Sequence, residues 1–182
     1  MEFIKVDSHK DLEKYCNLWL PAWIESGYEL ESYITEGIER FIFYTNTGEE
    51  FGCCEFNPYY FDYSPVNDSF PFNDFPILKD KKVIELDKFV IKNEYQGSVK
   101  RLIEIMNFLT TYVIVERKCD YLIALMNPDL YNIFVSRFKV PITRLLDEMN
   151  ADRNYLPVML EVKALEESNF GQKVLKKYIQ KV

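Results

Sequence analysis

Residues 85–91 read ELDKFVI and residues 95–102 read YQGSVKRL, with three residues between the two stretches. The first belongs to the run Val83–Ile91, which is rich in β-branched and apolar residues and favours a β-strand. Gly97 is typical of a turn, and the apolar positions beyond it recur with the 3.6-residue period of a helix. These stretches predict a strand, a short loop and a long helix over residues 98–117.

The start of this helix is suited to binding an anion. The first N–H groups of a helix lack partners within the helix, and the helix dipole puts partial positive charge at the same end. Lys100 and Arg101 add two cations there, although basic residues oppose the dipole at this position. A bound anion would remove that conflict, so the segment predicts a phosphate or pyrophosphate site.

Upstream of the central strand, the sequence predicts a strand, two helices and a hairpin. Phe3–Val6 reads as a strand, and the spacing of Ser8 and Asp11 resembles a capping box that begins a helix, which Pro21 is expected to kink or end. A second short helix is predicted from about Leu30 to Ile38. The strands of the hairpin are 40–44 and 51–56, joined by a turn at Asn46-Thr47-Gly48.

The connection over residues 57–82 contains four prolines, which exclude a regular strand or helix across its length. Its many aromatic residues argue against disorder. Two interpretations remain open: the rings wall an apolar pocket for a substrate, or they pack the connection onto its own surface.

Downstream, an almost wholly apolar run at Tyr121–Met126 is typical of a strand in a buried parallel sheet. A helix is predicted from Pro128 to about Phe138, followed by two weaker strands within 142–162 and a C-terminal helix. Hairpins that precede a strand-helix-strand crossover predict an α+β, three-layer fold. We expect a mixed sheet of six or seven strands flanked by helices, in a single domain over residues 1–182.

Composition excludes several functions. A formal net charge of −7 argues against a general nucleic-acid-binding protein. No apolar run approaches 18 residues and no basic, then apolar, leader opens the chain, so we expect no membrane association and a cytoplasmic location. The one histidine, His9, is expected in the first turn of a helix, which leaves histidine-dependent hydrolases without a base and argues against a metal site.

The strand, loop and helix over residues 85–102 resemble those of the GNAT N-acyltransferases. The stretch ELDKFVI is similar to the strand of the branch that contains acyl-homoserine-lactone synthases and N-acyl amino acid synthases. Gln96 matches the first position of that family's phosphate-binding loop, whereas Val99 and Arg101 stand where small residues are usual. Those two side chains narrow the space available to a phosphate, and Gly97 partly compensates.

The resemblance implies a donor site for acetyl-CoA, another acyl-CoA or acyl carrier protein, with no metal. It implies that the backbone of Phe89, Val90 and Ile91 binds the thioester, with the N–H groups there stabilising an oxyanion. The donor's phosphates would bind at the family loop and helix start, and Asn127 would contact the pantetheine arm. The implied phosphate-binding residues are Gln96, Gly97, Ser98, Val99, Lys100 and Arg101.

Two side chains are candidates for proton transfer. Glu85 matches a carboxylate position of the similar branch and could accept a proton from an attacking amine, with Asp87, on the same strand face, as the alternative. Tyr131 lies close to where the family places a tyrosine that protonates the leaving thiolate. Each of these side chains, like Asn127 as a helix cap, has a purely structural interpretation that the sequence leaves open.

The sequence thus predicts an N-acyltransferase that acts on a small-molecule or peptide amine. The alternative is a catalytically degenerate acyl-CoA-binding or protein-interaction module on the same fold, which Val99 and Arg101 favour. A homodimer also remains open, because nothing in the sequence defines the oligomeric state.

Overall fold

The computed structural model describes residues 1–27, 36–146 and 155–180. Within these ranges, seven strands form one sheet in the order β1-β2-β3-β4-β5-β7-β6. The strands are β1 (Glu2–Lys5), β2 (Glu39–Tyr44), β3 (Glu50–Pro58), β4 (Val83–Ile91), β5 (Tyr121–Met126), β6 (Ile142–Arg144) and β7 (Leu156–Glu161). The helices are α1 (His9–Glu25), α2 (Val66–Ser69), α3 (Val99–Thr111), α4 (Pro128–Asn132), α5 (Val162–Glu167) and α6 (Asn169–Ile179).

The sheet is mixed, as predicted. The pairs β1–β2, β2–β3, β5–β7 and β6–β7 are antiparallel, and β4–β5 is parallel. The parallel register covers three pairs, from Val83 opposite Tyr121 to Glu85 opposite Ile123. Both strands continue beyond the last of these pairs. With helices flanking it, this sheet has the α+β class expected from the order of the elements.

The chain divides into two compact units, described in turn, and the single-domain prediction stays a prediction. The first unit comprises Met1–Pro58 and Leu86–Met106. Its α1 begins at a capping box, in which Ser8 Oγ accepts a hydrogen bond from the N–H of Asp11 at 3.1 Å. Pro21 lies within α1 and does not end it, since the helix continues to Glu25. The apolar face of α1 packs on a core that includes buried Tyr15, Leu18, Ile42, Cys53 and Val90.

The second unit comprises Tyr59–Glu85 and Asn107–Val182. Its core contains the buried side chains Tyr59, Val66, Phe70, Phe72, Leu78, Val83, Tyr121 and Ile123. The proline-rich connection forms only single turns of helix at Val66–Ser69, Phe72–Asp74 and Pro76–Leu78. Three of its rings, Tyr59, Phe70 and Phe72, are buried in this core, so the connection packs onto the unit through its own aromatic side chains.

Several helix predictions differ from the structure in detail. The predicted helix 98–117 is α3 followed by a wider π-helical turn at Tyr112–Glu116, and the helix predicted after Pro128 ends in a similar turn at Ile133–Arg137. Most of the helix predicted at Leu30 to Ile38 lies outside the described residues. No helix in the described ranges is long and apolar enough to cross a membrane.

Candidate functional site

Strand β4 contains one residue in an unusual backbone conformation. Lys88 has φ of 46°, in the left-handed region that non-glycine residues seldom adopt, and among the described strand residues it is the only such non-glycine. Its N–H donates to Oδ1 of the preceding Asp87 at 2.7 Å. Left-handed conformations of this kind cost about 1–3 kcal/mol and persist only where neighbouring groups hold them. The groups that hold Lys88 in this conformation are therefore a candidate functional site.

A buried carboxylate on β3 organises those neighbours. The side chain of Glu55 is 2% exposed, and its Oε1 lies 2.6 Å from Lys88 Nζ. Its Oε2 accepts from Arg40 Nε at 3.0 Å and from the Tyr15 hydroxyl at 2.9 Å. Lys88 Nζ also lies 3.0 Å from Asp87 Oδ2. We call Tyr15, Arg40, Glu55, Asp87 and Lys88 the Glu55 cluster; its two cations balance its two anions.

The electrostatics of the Glu55 cluster keep Lys88 charged. Burial lowers the pKa of Lys88, but the carboxylates of Asp87 and Glu55 outweigh that effect and raise it above 10.5. Burial, reinforced by the charge of Glu55, raises the pKa of Tyr15 well above 10, so its hydroxyl remains a neutral donor. The ring of Trp19 lies 5.2 Å from Lys88 Nζ and adds a cation–π contact.

Sequence reasoning missed the Glu55 cluster, although one signal was present. Glu55 lies in a strand whose residues from Phe51 to Asn57 are all buried. A charge in such a run is nearly always paired with an opposite charge. The signal does not identify the partners, since Tyr15 and Lys88 lie 40 and 33 residues away along the chain.

The two predicted carboxylates of β4 lie in different surroundings. Glu85, in the second unit, is half-buried and forms the last β4–β5 pair in the parallel register, opposite Ile123. Asp87, in the first unit, keeps 25% of its side chain exposed and is held by Lys88. Along the rest of β4, Val90 is buried in the core, and Phe89 and Ile91 are half-buried.

The predicted phosphate loop is partly occupied by its own side chains. Gln96 Nε2 donates to Ile91 O at 3.1 Å and to Asn93 Oδ1 at 2.8 Å. Ser98 Oγ accepts from the N–H of Arg101 at 3.4 Å, which makes Ser98 the cap of α3. Gly97 has φ of 80°, a conformation that favours glycine.

Arg101 also forms contacts within the first unit. Its Nη1 lies 2.7 Å from Glu104 Oε2, and its guanidinium lies 5.1 Å from the centre of the Phe51 ring. By contrast, Lys100 is exposed. Within the described residues, the N–H groups of Gly97, Val99 and Lys100 have no hydrogen-bond acceptor in the protein. The anion site at this helix start stays a prediction, and these three N–H groups and the Lys100 side chain are groups that could bind an anion without giving up a partner among the described residues.

The remaining two predicted residues lie in the second unit. Asn127 Oδ1 accepts from the N–H groups of Asp129 at 2.8 Å and Leu130 at 3.4 Å, so Asn127 caps α4. Tyr131 lies one turn into α4 and is half-buried. No group of three or more side chains suited to a metal ion occurs among the residues the structure describes.

No protein-family model and no curated protein matches the chain. Solved structures do match. FeeM, an N-acyl amino acid synthase from uncultured soil microbes, aligns with a TM-score of 0.70 at 14% identity, covering 94% of this chain and 98% of its own. MesI, a CoA-dependent acyl-homoserine lactone synthase, has a TM-score of 0.66 at 10% identity, covering 97% and 95%. The AHL synthase LasI has a TM-score of 0.64 at 15% identity, covering 90% and 92%.

The chain therefore has the fold of the GNAT-like N-acyltransferases. Its structural neighbours include both kinds of enzyme in the branch that residues 85–102 resemble, which confirms the resemblance drawn from that stretch. At identities of 10–15%, the likeness shows the fold, and the reaction has to be argued from the site.

Proposed function

We propose that the chain is an N-acyltransferase that moves an acyl group from a thioester of CoA or acyl carrier protein to an amine. The observation that carries the proposal is the position of Glu85 in an acyltransferase fold, at the last pair of the parallel β4–β5 register. A half-buried carboxylate at that point is suited to taking a proton from an attacking amine.

The proposed reaction is a direct transfer. The amine nitrogen attacks the thioester carbon, a C–N bond forms, and the C–S bond then breaks. Glu85 accepts the proton that the nitrogen loses, and Tyr131 supplies a proton to the departing thiolate. Backbone N–H groups of Phe89, Val90 and Ile91 stabilise the negative oxygen of the intermediate. Asp87 is the alternative acceptor, since its carboxylate is partly exposed on the same strand.

We propose that the donor's phosphates bind at the loop before α3. This placement is supported by the exposed Lys100 side chain and by the N–H groups of Gly97, Val99 and Lys100, which have no acceptor among the residues that the structure describes. Gln96 holds the loop through its Nε2, and Ser98, whose Oγ accepts from the N–H of Arg101, would offer its hydroxyl hydrogen to a phosphate. Arg101 would join the site through the guanidinium N–H groups that its Nη1 bond to Glu104 does not use. Asn127 would meet the pantetheine arm through the part of its amide not used as a cap.

The acceptor in this proposal is an amine on a small molecule or peptide. The structural neighbours include a spermidine N-acetyltransferase as well as an N-acyl amino acid synthase, names that point to one acceptor without a carboxylate and one with it. The balanced charges of the Glu55 cluster favour neither, and a panel that contains polyamines, amino acids and peptides is the appropriate test.

A two-stage experiment tests the function. Thermal shift with CoA, acetyl-CoA and longer acyl-CoAs reports donor binding, which raises the melting temperature further as the ligand concentration increases above its Kd. Thiol release from acyl-CoA or acyl carrier protein is then measured with and without each amine. Amine-dependent release supports the proposal. Binding without release supports the alternative, a degenerate acyl-CoA-binding module. The reason to consider that alternative is that Val99 and Arg101 stand where small residues are usual in the phosphate-binding loop. If the protein shows no donor binding and no thiol release, both the acyltransferase and the acyl-CoA-binding alternative are rejected.

A further inference from the structure

The left-handed residue of β4 is anchored at its far end by a different strand. Lys88 Nζ lies 2.6 Å from Glu55 Oε1 on β3, while Asp87, its own neighbour, holds both the Lys88 N–H and the same ammonium. A free lysine side chain samples many rotamers. Because two carboxylates hold the Lys88 ammonium, its side chain is restricted to one arrangement. Asp87 lies on the same strand as Lys88, so of these two carboxylates only Glu55 ties the Lys88 ammonium to another strand.

Glu55 is itself held in place. Its second oxygen accepts from Arg40 and Tyr15, and its side chain is 2% exposed, so water does not compete for these bonds. A buried carboxylate that lost its partners would be strongly unfavourable. Glu55 therefore offers Lys88 a carboxylate held in a fixed position by two other side chains.

We propose that Glu55 is a positioning residue for acyl transfer, acting through Lys88 to hold the left-handed turn of β4. That turn fixes the direction of the Asp87 carboxylate and the course of the backbone from Phe89 to Ile91. Glu55 does not touch the substrate. The inference rests on the proposed function for its catalytic part, while the anchoring of β4 is open to a test that needs no activity.

Three variants separate positioning from simple stabilisation. Lys88→Met removes the ammonium but leaves Glu55 paired with Arg40 and Tyr15. Glu55→Gln removes the anchor charge. Arg40→Gln is the matched control, because it removes the other cation from the same carboxylate while the Tyr15 hydroxyl still holds Oε2 and Lys88 still holds Oε1. If Glu55→Gln does not fold, Lys88→Met carries the test alone against this control.

The kinetic readout is the split between kcat and the KM of the donor. We expect Lys88→Met and Glu55→Gln to lower kcat at least about tenfold and to change the donor KM by less than roughly twofold, because orientation at the reacting centre is lost. Arg40→Gln should retain kcat within about threefold. Equal losses of kcat in Arg40→Gln and Lys88→Met would overturn the proposal in favour of general ion-pair stabilisation.

Amide hydrogen exchange over residues 86–91 tests the anchoring without activity. We expect exchange there to rise about tenfold in Lys88→Met and in Glu55→Gln, and to stay near the wild-type rate in Arg40→Gln. The double variant Lys88→Met/Glu55→Gln should exchange no faster than either of its single variants, because each single variant already removes the ion pair between β3 and β4. Unchanged exchange in Lys88→Met would overturn the anchoring. Absence of acyl transfer in the wild type would overturn the proposed function and the catalytic part of this inference. The anchoring of β4 would still be decided by hydrogen exchange.

Discussion

The Lys88 ammonium lies 2.6 Å from Oε1 of Glu55, and Arg40 Nε lies 3.0 Å from Oε2 of the same carboxylate. One buried anion on β3 thus holds a cation from each neighbouring strand, β2 and β4. This arrangement ties the conformation of β4, the strand that resembles the donor-binding strand of N-acyltransferases, to a residue that no local sequence motif marks.

Replacing Glu55 by alanine should destabilise the protein by about 3–5 kcal/mol, because it leaves Lys88 and Arg40 without their buried counterion. Urea unfolding followed by circular dichroism measures the free energy of unfolding. Glu2→Ala, on the exposed edge strand β1, is the control and should change it by less than about 0.5 kcal/mol. A loss as small in Glu55→Ala as in the control would show that the cluster contributes little.

Alkaline pH should destabilise the fold through its buried thiols. Burial raises the pKa of Cys119 from 9.0 to about 11, so the folded state keeps a proton that the unfolded state releases. The free energy of unfolding should therefore fall as pH rises from 9 to 11. The part due to Cys119 is about 2–3 kcal/mol, from 1.36 kcal/mol for each pKa unit.

Cys119→Ala isolates that contribution, because burial also raises the pKa of Cys53 and of Tyr15, which act in the same direction. The difference in unfolding free energy between wild type and variant should narrow between pH 9 and 11. A difference that stays constant across this range would contradict the assignment.

Local patterns predicted most of the strands and helices, because periodicity and caps are written in neighbouring residues. Tyr121–Met126 matches β5 at both ends, and the capping pattern of Ser8 and Asp11 matches the start of α1. The Glu55 cluster was beyond such reasoning, since it joins α1, β2, β3 and β4 through side chains distant in sequence. The left-handed Lys88 was equally hidden, because lysine has no preference for that conformation.

The predicted donor loop shows a different limit. The sequence identified Gln96, Ser98 and Arg101 as candidate phosphate ligands, but their polar groups are used by Ile91, by the α3 backbone and by Glu104. Side-chain competition of this kind depends on rotamers that residue spacing does not determine. The aromatic connection behaves similarly, since Phe70 and Phe72 fill the second unit's core.

Lys100 should matter more for donor binding than Arg101, because Lys100 is exposed and has no ion pair within the described part of the chain, while Arg101 is bound to Glu104. Lys100→Glu should weaken CoA binding roughly three- to tenfold at low ionic strength and less at high salt. Arg101→Gln should have a smaller effect. Isothermal titration at two salt concentrations measures both variants. Reversing both charges at Lys100 and Arg101 should also weaken CoA binding, and more so at low ionic strength. Equal affinity of Lys100→Glu and wild type would remove Lys100 from the donor site.

In the proposed reaction a carboxylate of β4 takes the amine proton during acyl transfer, and the turnover of Glu85→Gln tests this role most directly. Once a productive donor and amine are known, kcat is measured for wild type, Glu85→Gln and Asp87→Asn, with CoA affinity measured alongside. General-base catalysis contributes about 100- to 10,000-fold, so Glu85→Gln should lose at least roughly tenfold in kcat with nearly unchanged affinity. Wild-type turnover in both Glu85→Gln and Asp87→Asn would contradict the claim, and a loss confined to Asp87→Asn would transfer the role to Asp87.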